Sequence, residues 1–197
     1  MISWLFIGLV ATILLTPGPT NTLLASSGVQ VGLRKSVKLI PAEVLGYVIS
    51  ISAWGMLIGK VSNTLPMLPP ILKLFSACYI IFLAIKLWHT ANQEVELNQP
   101  TIRARELFCA TLLNPKALLF ASAIFPVAAW SNFHIYLIHM IAYLALITPI
   151  ALLWIFLGSV LASKKVGWLN QTNLQKTASL VLVSFSIPIS YSALLNL

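Results

Sequence analysis

The sequence predicts an all-α integral membrane protein in which six transmembrane helices form two inverted three-helix repeats, with helices 1 and 4 broken at Pro17–Pro19 and Asn114–Pro115. Three observations support this fold class. Of the 197 residues, 59% are hydrophobic and only 8% are charged, whereas a soluble domain has roughly a quarter of its residues charged. The apolar residues form six runs of membrane-spanning length. Prolines interrupt the first and the fourth of these runs.

Crossing a hydrocarbon core takes about 20 predominantly apolar residues, with a range of roughly 17–25. Six runs meet this requirement: Ile2–Ser27, Leu39–Gly59, Ile71–Trp88, Leu107–Trp130, Ile135–Ala162 and Ala178–Leu197. The fifth run is long enough to tilt or to bend at Thr148–Pro149. The first run lacks the positively charged start of a signal peptide, so we expect it to stay in the mature protein.

The two halves of the chain resemble each other around the proline breaks. Leu14-Leu15-Thr16-Pro17 recurs as Leu112-Leu113-Asn114-Pro115, and Leu-rich sequence with small residues follows each. We therefore interpret residues 1–197 as a single membrane transporter domain with repeat halves at about 1–88 and 107–197 and a polar linker at 89–106. Because each half has three spans, the second enters the membrane with opposite polarity, as in many secondary transporters.

The basic residues favour one orientation in the membrane. Lys and Arg cluster in the first, third and fifth connections, for example as Arg34, Lys35 and Lys38 in the first. Because positively charged loops stay on the cytoplasmic side, loops 1, 3 and 5 are predicted to be cytoplasmic and both termini to lie outside. The formal net charge of +8 does not indicate nucleic-acid binding, since loops this short cannot form a folded basic face.

Each break predicts a polar site at the middle of the membrane. Irregular backbone at that depth is tolerated where it is buried in protein or lines a cavity. The restarted helix also presents unpaired N–H groups and a partial positive charge, which attract an anion such as a carboxylate. The candidate substrate-binding residues are Pro17, Gly18, Pro19, Thr20, Asn21 and Thr22 at the first break and Asn114, Pro115 and Lys116 at the second. The alternative is that each proline only kinks a packed helix.

Two charged residues lie inside apolar runs. A charge at the bilayer centre costs about 2.5–3.5 kcal/mol even on insertion scales, so Lys116 should face protein, water or an opposite charge, unless its stem extends to the interface. Glu43 is the only acid within a span. It is either a proton-coupling carboxylate or charge partner of a basic group such as Lys116, or one member of an interfacial pair with Lys38 or Lys35.

The remaining polar residues do not indicate a catalytic or metal centre. The four acidic residues are all Glu. His134 and His139 are five residues apart, which does not align them on one helix face for a metal. Cys78 and Cys109 lie within or at the edge of apolar runs, as packing residues do. We therefore expect no enzymatic activity, no metal and no cofactor.

The motifs at both breaks are similar to those of a known family. Leu15-Thr16-Pro17-Gly18-Pro19, Asn21-Thr22-Leu23-Leu24, Gly32-Leu33-Arg34 and Gly46 resemble the amino-terminal signature of the LysE/RhtB family of amino-acid exporters. Leu72-Lys73 through Ala77 and Tyr79 resembles that family's third-helix pattern, and Leu113-Asn114-Pro115-Lys116-Ala117 with Phe120 and Phe125-Pro126 resembles its fourth-helix pattern. The resemblance implies efflux of amino acids or related small metabolites across the cytoplasmic membrane, driven by the proton or ion gradient.

Several positions depart from the family pattern. Tyr47 follows Gly46 where many relatives carry an acid, and Phe120 stands where exporters of basic amino acids can carry another. Thr20 displaces the asparagine after the Pro-Gly-Pro cluster by one residue, and Ser76 and Ala84 replace glycines of the third helix. The missing acids favour neutral over basic substrates.

The sequence thus predicts a secondary transporter of the cell membrane that exports amino acids or related small metabolites by alternating access, with its site at the two broken helices. The expected partners are a small-molecule substrate, membrane lipids and a proton or ion gradient, and a homo-oligomer is left open. The alternatives are a non-transporting membrane scaffold or subunit, and an exporter of another small solute such as a metal ion.

Overall fold

The computed structural model describes residues 2–61, 64–65, 67–90 and 102–162, and near the carboxyl end 176, 179–180, 183–184, 186–187, 190–191 and 194–195. Every regular element in this part of the chain is helical. Two stretches, Leu33–Val61 and Phe133–Val160, are long and apolar enough to cross a membrane on their own. Two further candidates are bent helix pairs, each of which is long and apolar enough only when its two helices are counted as one span.

The first broken span consists of α1, Trp4–Leu15, and α2, Pro19–Val31, which are bent by 55°. Thr16 between them is extended, as expected for a residue that precedes proline. Pro19 is the first residue of α2, where its missing N–H costs nothing. Gly32 ends α2 with a φ of 77°, a conformation that favours glycine. The predicted break is therefore present at the predicted residues.

The next span begins with α3, Leu33–Ser36, and a 3₁₀ turn at Val37–Leu39, and continues as α4, Ile40–Val61. The 22 residues of α4 extend about 33 Å at ~1.5 Å per residue, which matches a hydrocarbon core of about 30 Å. The helix after it, α5, covers Leu68–Thr90. The helix α4 ends two residues after its predicted run, and α5 extends beyond its predicted run at both ends.

The second broken span consists of α6, Ala104–Leu112, and α7, Pro115–Leu119, which continues into a π turn at Phe120–Ile124. The two parts are bent by 44°. The helix α6 begins within the predicted linker 89–106, because the Glu106 carboxylate accepts a hydrogen bond from the backbone N–H of Arg103 and caps the helix start.

A short 3₁₀ turn at Val127–Trp130 leads into α8, Phe133–Ala162, which contains the predicted Pro149. Most of the sixth predicted run, Ala178–Leu197, lies outside the described residues. Its described residues are helical between Ser179 and Leu194, and the Ser179 hydroxyl donates a hydrogen bond to the Ala84 carbonyl of α5 at 2.7 Å. The six-helix inverted repeat therefore stays a prediction.

Glycines bring the broken spans close to their neighbours. A Cβ on Gly28 of α2 would overlap the backbone of Ile155 in α8, and one on Gly158 of α8 would overlap the Ala25 carbonyl. On α4, a Cβ on Gly46 would lie 2.7 Å from the Thr111 Cβ of α6. Small residues permit such close helix contacts in membranes. The first break is thereby held against α8, and the second against α4.

Candidate functional site

The two breaks meet, and Lys116 joins them. Its Nζ donates hydrogen bonds to the carbonyl oxygens of Ile13, at 3.0 Å, and Thr16, at 2.7 Å. These carbonyls lie at the end of α1, where the proline break removes the next turn of the helix; the Ile13 oxygen keeps one backbone donor, the Thr16 N–H at 3.3 Å. The cation also interacts favourably with the negative end of the α1 dipole. Lys116 is only 2% exposed, so its side chain points into the protein rather than to the membrane interface.

Asn21 stabilises the same helix end from the other side of the break. Its Nδ2 donates to the Leu14 carbonyl at 2.7 Å and to the Thr16 carbonyl at 2.8 Å. The Thr16 oxygen therefore accepts from both Asn21 and Lys116. Gly18 lies directly against the lysine, since a Cβ there would be 3.0 Å from the Lys116 Cε and Nζ. A side chain at residue 18 would thus displace the ammonium group from α1.

A buried network of three side chains links the breaks to α4. Asn114 Nδ2 donates to the Tyr47 hydroxyl at 2.8 Å and to Thr20 Oγ1 at 3.4 Å, and the Thr20 and Tyr47 hydroxyls lie 3.3 Å apart. Asn114 also caps α7, because its Oδ1 accepts from the Lys116 backbone N–H at 3.0 Å. One amide therefore starts a helix and connects both halves of the site.

Glu43 lies in the same polar centre and is 1% exposed. Its carboxyl group interacts with the Thr20 side chain and with the charge of Lys116. Its Oε2 has no hydrogen-bond partner in the described part of the chain. Lys35 and Lys38 are both exposed, so the interfacial pair considered from the sequence does not form.

Aromatic rings surround this centre on the side of α8. Phe120 and Tyr143 lie 5.0 Å apart between ring centroids, Tyr47 and Tyr143 lie 6.0 Å apart, and Tyr47 and Phe120 lie 6.2 Å apart, all in edge contact. Tyr143 is fully buried, and its hydroxyl has no hydrogen-bond partner. We refer to Tyr47, Phe120 and Tyr143 as the aromatic wall.

A cavity of about 430 Å³ lies near the starts of α1 and α8. Its lining consists of Ser3, Phe6, Ile124, Pro126, Ala128, His134, Ile135, Ile138 and His139. The Phe125 ring contacts both Phe6 of the lining, at 5.5 Å between centroids, and Tyr143 of the aromatic wall, at 6.2 Å. These rings therefore separate the cavity from the polar centre.

The structure brings most of the sequence-predicted site residues together. Those in or directly against the polar centre are Gly18, Thr20, Asn21, Glu43, Asn114 and Lys116. Pro17 is buried between the helices, Pro115 is half-buried, and Pro19 and Thr22 are exposed. Thr22 follows Asn21 and is therefore rotated from it by about 100° around the axis of α2, which directs it away from the centre.

Sequence reasoning missed the roles of Tyr47 and Tyr143. A signal existed for Tyr47, because it lies four residues after Glu43 and so on the same face of a helix. Tyr143 had no local signal beyond a hydroxyl in the middle of an apolar run. Such a hydroxyl usually finds a partner when it is buried, which makes its unpartnered state informative.

Comparison with known proteins gives one match. The family model described as LysE type translocator matches residues 11–192, which is nearly the whole chain. No curated protein and no solved structure matches.

Proposed function

The chain belongs to the LysE type translocator family, and on that premise we propose that it is a secondary transporter that exports neutral amino acids or related small metabolites. The family match supports a membrane exporter of amino acids or related solutes, and the apolar helices support a multi-pass membrane protein. The finer proposal concerns the substrate, its site and the coupling.

One observation carries the proposal: the two broken helices meet in a buried polar centre. Backbone irregularity inside a membrane is expected where it is buried in protein or lines a substrate path, and transporters with broken helices bind their substrates at such points. Lys116, Asn114 and Thr20 come from two distant parts of the chain and converge there.

The solute's carboxylate would bind at the start of α2. The N-cap residue of α2 is Gly18, which has no side chain to cap the helix, so the N–H groups and dipole of this helix start could bind an anion. Thr20 and Asn114 would add hydrogen bonds, and Lys116 would supply positive charge while it holds the end of α1. Two inverted halves, rocking against each other, would expose the site to one side of the membrane at a time.

Glu43 is the proposed proton-coupling residue. Glu43 is buried and interacts electrostatically with Lys116, and its Oε2 has no hydrogen-bond partner among the described residues. Buried acids in transmembrane segments are typical of proton relays in transporters. Export would then be driven by protons that enter through Glu43.

The proposed location is the cytoplasmic membrane, with loops 1, 3 and 5 in the cytoplasm and both termini outside, as the Lys and Arg distribution indicates. The cavity near the starts of α1 and α8 would then open towards the outer face. Its position suits the exit route of an exporter.

Export from vesicles tests the proposal. Vesicles that contain the reconstituted protein are loaded with a panel of labelled amino acids, and efflux is measured with and without a proton gradient. We expect gradient-dependent efflux of neutral amino acids that Lys116→Ala and Asn114→Ala abolish. Leu113→Ala is the matched control, because Leu113 precedes Asn114 but is 84% exposed. Wild-type export by Lys116→Ala and Asn114→Ala would remove these residues from the mechanism.

A further inference from the structure

Two buried polar atoms in the centre, Glu43 Oε2 and the Tyr143 hydroxyl, have no hydrogen-bond partner among the residues that the structure describes. Tyr143 is within electrostatic range of Glu43. A buried polar group without a partner costs about 1–3 kcal/mol. Two such groups in one centre indicate a ligand that completes both.

Both atoms can accept hydrogen bonds. The carboxylate oxygen is an acceptor only, and the phenolic oxygen accepts as well as donates. Within the described residues, no donor lies at hydrogen-bond distance from Glu43 Oε2. The site therefore lacks a donor, and a positively charged one would pair with the carboxylate.

The aromatic wall suits the same kind of ligand. Tyr47, Phe120 and Tyr143 pack edge to face around the centre. A cation near the face of such rings is attracted by their quadrupole, most strongly where water is excluded. A divalent ion such as Ca²⁺ would need six or more oxygen ligands, whereas a primary ammonium group has three N–H donors and needs few acceptors.

We propose that Glu43 and Tyr143 bind the primary ammonium group of the transported solute, against the aromatic wall. This assignment rests on the proposed function and adds a binding site for the ammonium group of the solute to the one proposed for its carboxylate. Tyr143 is then a specificity-determining residue, because solutes without an ammonium group leave its hydroxyl and Glu43 Oε2 unpaired.

The assignment also explains how one carboxyl group couples export to protons. Glu43 Oε2 cannot carry a proton and accept a hydrogen bond as a carboxylate from an ammonium group at the same time. Proton and solute therefore exclude each other at Glu43. Mutually exclusive binding at one site gives exchange of one for the other when the site alternates between the two sides.

Binding to the purified full-length protein in detergent tests the site without any transport. Thermal unfolding is followed in ethylammonium chloride, with sodium chloride and tetramethylammonium chloride at equal concentration for comparison. We expect ethylammonium alone to raise the melting temperature, because tetramethylammonium carries the charge but has no N–H donor. Equal shifts with all three salts would overturn the proposal.

Variants that each lack one tyrosine hydroxyl group test whether Tyr143 itself contributes to the binding. Tyr143→Phe removes only an unpartnered hydroxyl and should fold as the wild type does, yet weaken ethylammonium binding roughly tenfold or more, the loss expected for a hydrogen bond to a charged group. Tyr136→Phe is the matched control, because its hydroxyl pairs with Ser52 outside the site. Unchanged binding by Tyr143→Phe would overturn the assignment.

A transport experiment distinguishes a failure of the ammonium site from a failure of the proposed exporter function. In vesicles, alanine is compared with lactate, which replaces the ammonium group by a hydroxyl, as competitors of efflux. We expect lactate to compete at least tenfold more weakly, and Tyr143→Phe to reduce that preference. If amino acids move but lactate competes as well as alanine, the ammonium site fails and the exporter stands. If no amino acid moves while the Tyr143-dependent ethylammonium shift remains, the exporter fails and the cation site stands.

Discussion

The Lys116 ammonium group and the Thr16 carbonyl oxygen lie 2.7 Å apart, so a side chain next to one helix break caps the helix that ends at the other. In membranes the backbone groups freed by a proline break must be satisfied by other groups of the protein. Here the positive charge and the open carbonyls satisfy each other. Lys116 thereby has a structural role that any role in transport must accommodate.

Replacing Lys116 with methionine should destabilise the protein. The change keeps the length of the side chain but removes the Nζ hydrogen bonds to the Ile13 and Thr16 carbonyls and leaves Glu43 without the nearby charge of Lys116. We expect a loss of about 1–3 kcal/mol in the free energy of unfolding, the cost of unsatisfied buried polar groups. Thermal unfolding in detergent measures it.

Lys60→Met is the control for this prediction. Lys60 is exposed near the end of α4, and surface substitutions usually change stability by less than about 0.5 kcal/mol. A Lys116→Met protein that unfolds at the wild-type temperature would contradict the capping role.

Alanine at Gly158 or Gly28 should separate α2 from α8. A Cβ at either residue would overlap backbone atoms of the opposite helix, which cannot move aside as a flexible side chain can. Overpacking of this kind costs about 1–3 kcal/mol or more. The melting temperatures of both variants should fall.

Gly8→Ala is the control for this prediction and should not lower the melting temperature. Nothing lies within 4 Å of a Cβ at Gly8 in α1, and alanine is favoured over glycine within a helix by about 1 kcal/mol. This variant should be as stable as the wild type or more so. Equal melting temperatures for Gly8→Ala, Gly28→Ala and Gly158→Ala would show that the α2–α8 contact is looser than described.

The hydrogen bond between Tyr47 and Asn114 should appear as a coupling energy. In a double-mutant cycle of Tyr47→Phe and Asn114→Ala, the two changes remove the same bond, so their effects on the free energy of unfolding should fall short of additivity by about 0.5–1.5 kcal/mol. The pair Tyr47→Phe and Leu113→Ala is the control and should be additive, because exposed Leu113 shares no partner with Tyr47. Additivity in both pairs would rule out a connection through this bond.

The positions of both breaks could be predicted from the sequence because proline acts locally. It lacks an N–H and restricts the residue before it, so Pro17 and Pro115 interrupt their helices whatever surrounds them. The cap at Asn114 is local in the same way. A charged Lys116 in an apolar run also had to be buried against something polar.

The partners could not be predicted, since they depend on how distant helices pack. Lys116 binds backbone carbonyls, and every residue has a carbonyl, so no sequence pattern distinguishes Ile13 and Thr16 as acceptors. Tyr143 reaches the centre because α8 lies against the first break through Gly28 and Gly158. That register depends on how the helices pack, and the sequence near residue 143 does not indicate it.

Shortening Phe125 should open the polar centre to the cavity. Its ring contacts Phe6 of the cavity lining and Tyr143 of the aromatic wall, so Phe125→Ala removes the group between them, at a cost of about 3–5 kcal/mol in stability. Access is measured with a small water-soluble thiol reagent and an Ile147→Cys reporter, since Ile147 is buried one turn after Tyr143. The exposed native cysteines, Cys78 and Cys109, are first replaced with serine.

We expect the reagent to label residue 147 faster in Phe125→Ala than in the protein with Phe125. Gly158→Ala is the control, because it loosens the packing elsewhere and should not speed the labelling. Equal increases in the two variants would mean that general loosening of the structure, and not the loss of the Phe125 ring, admits the reagent.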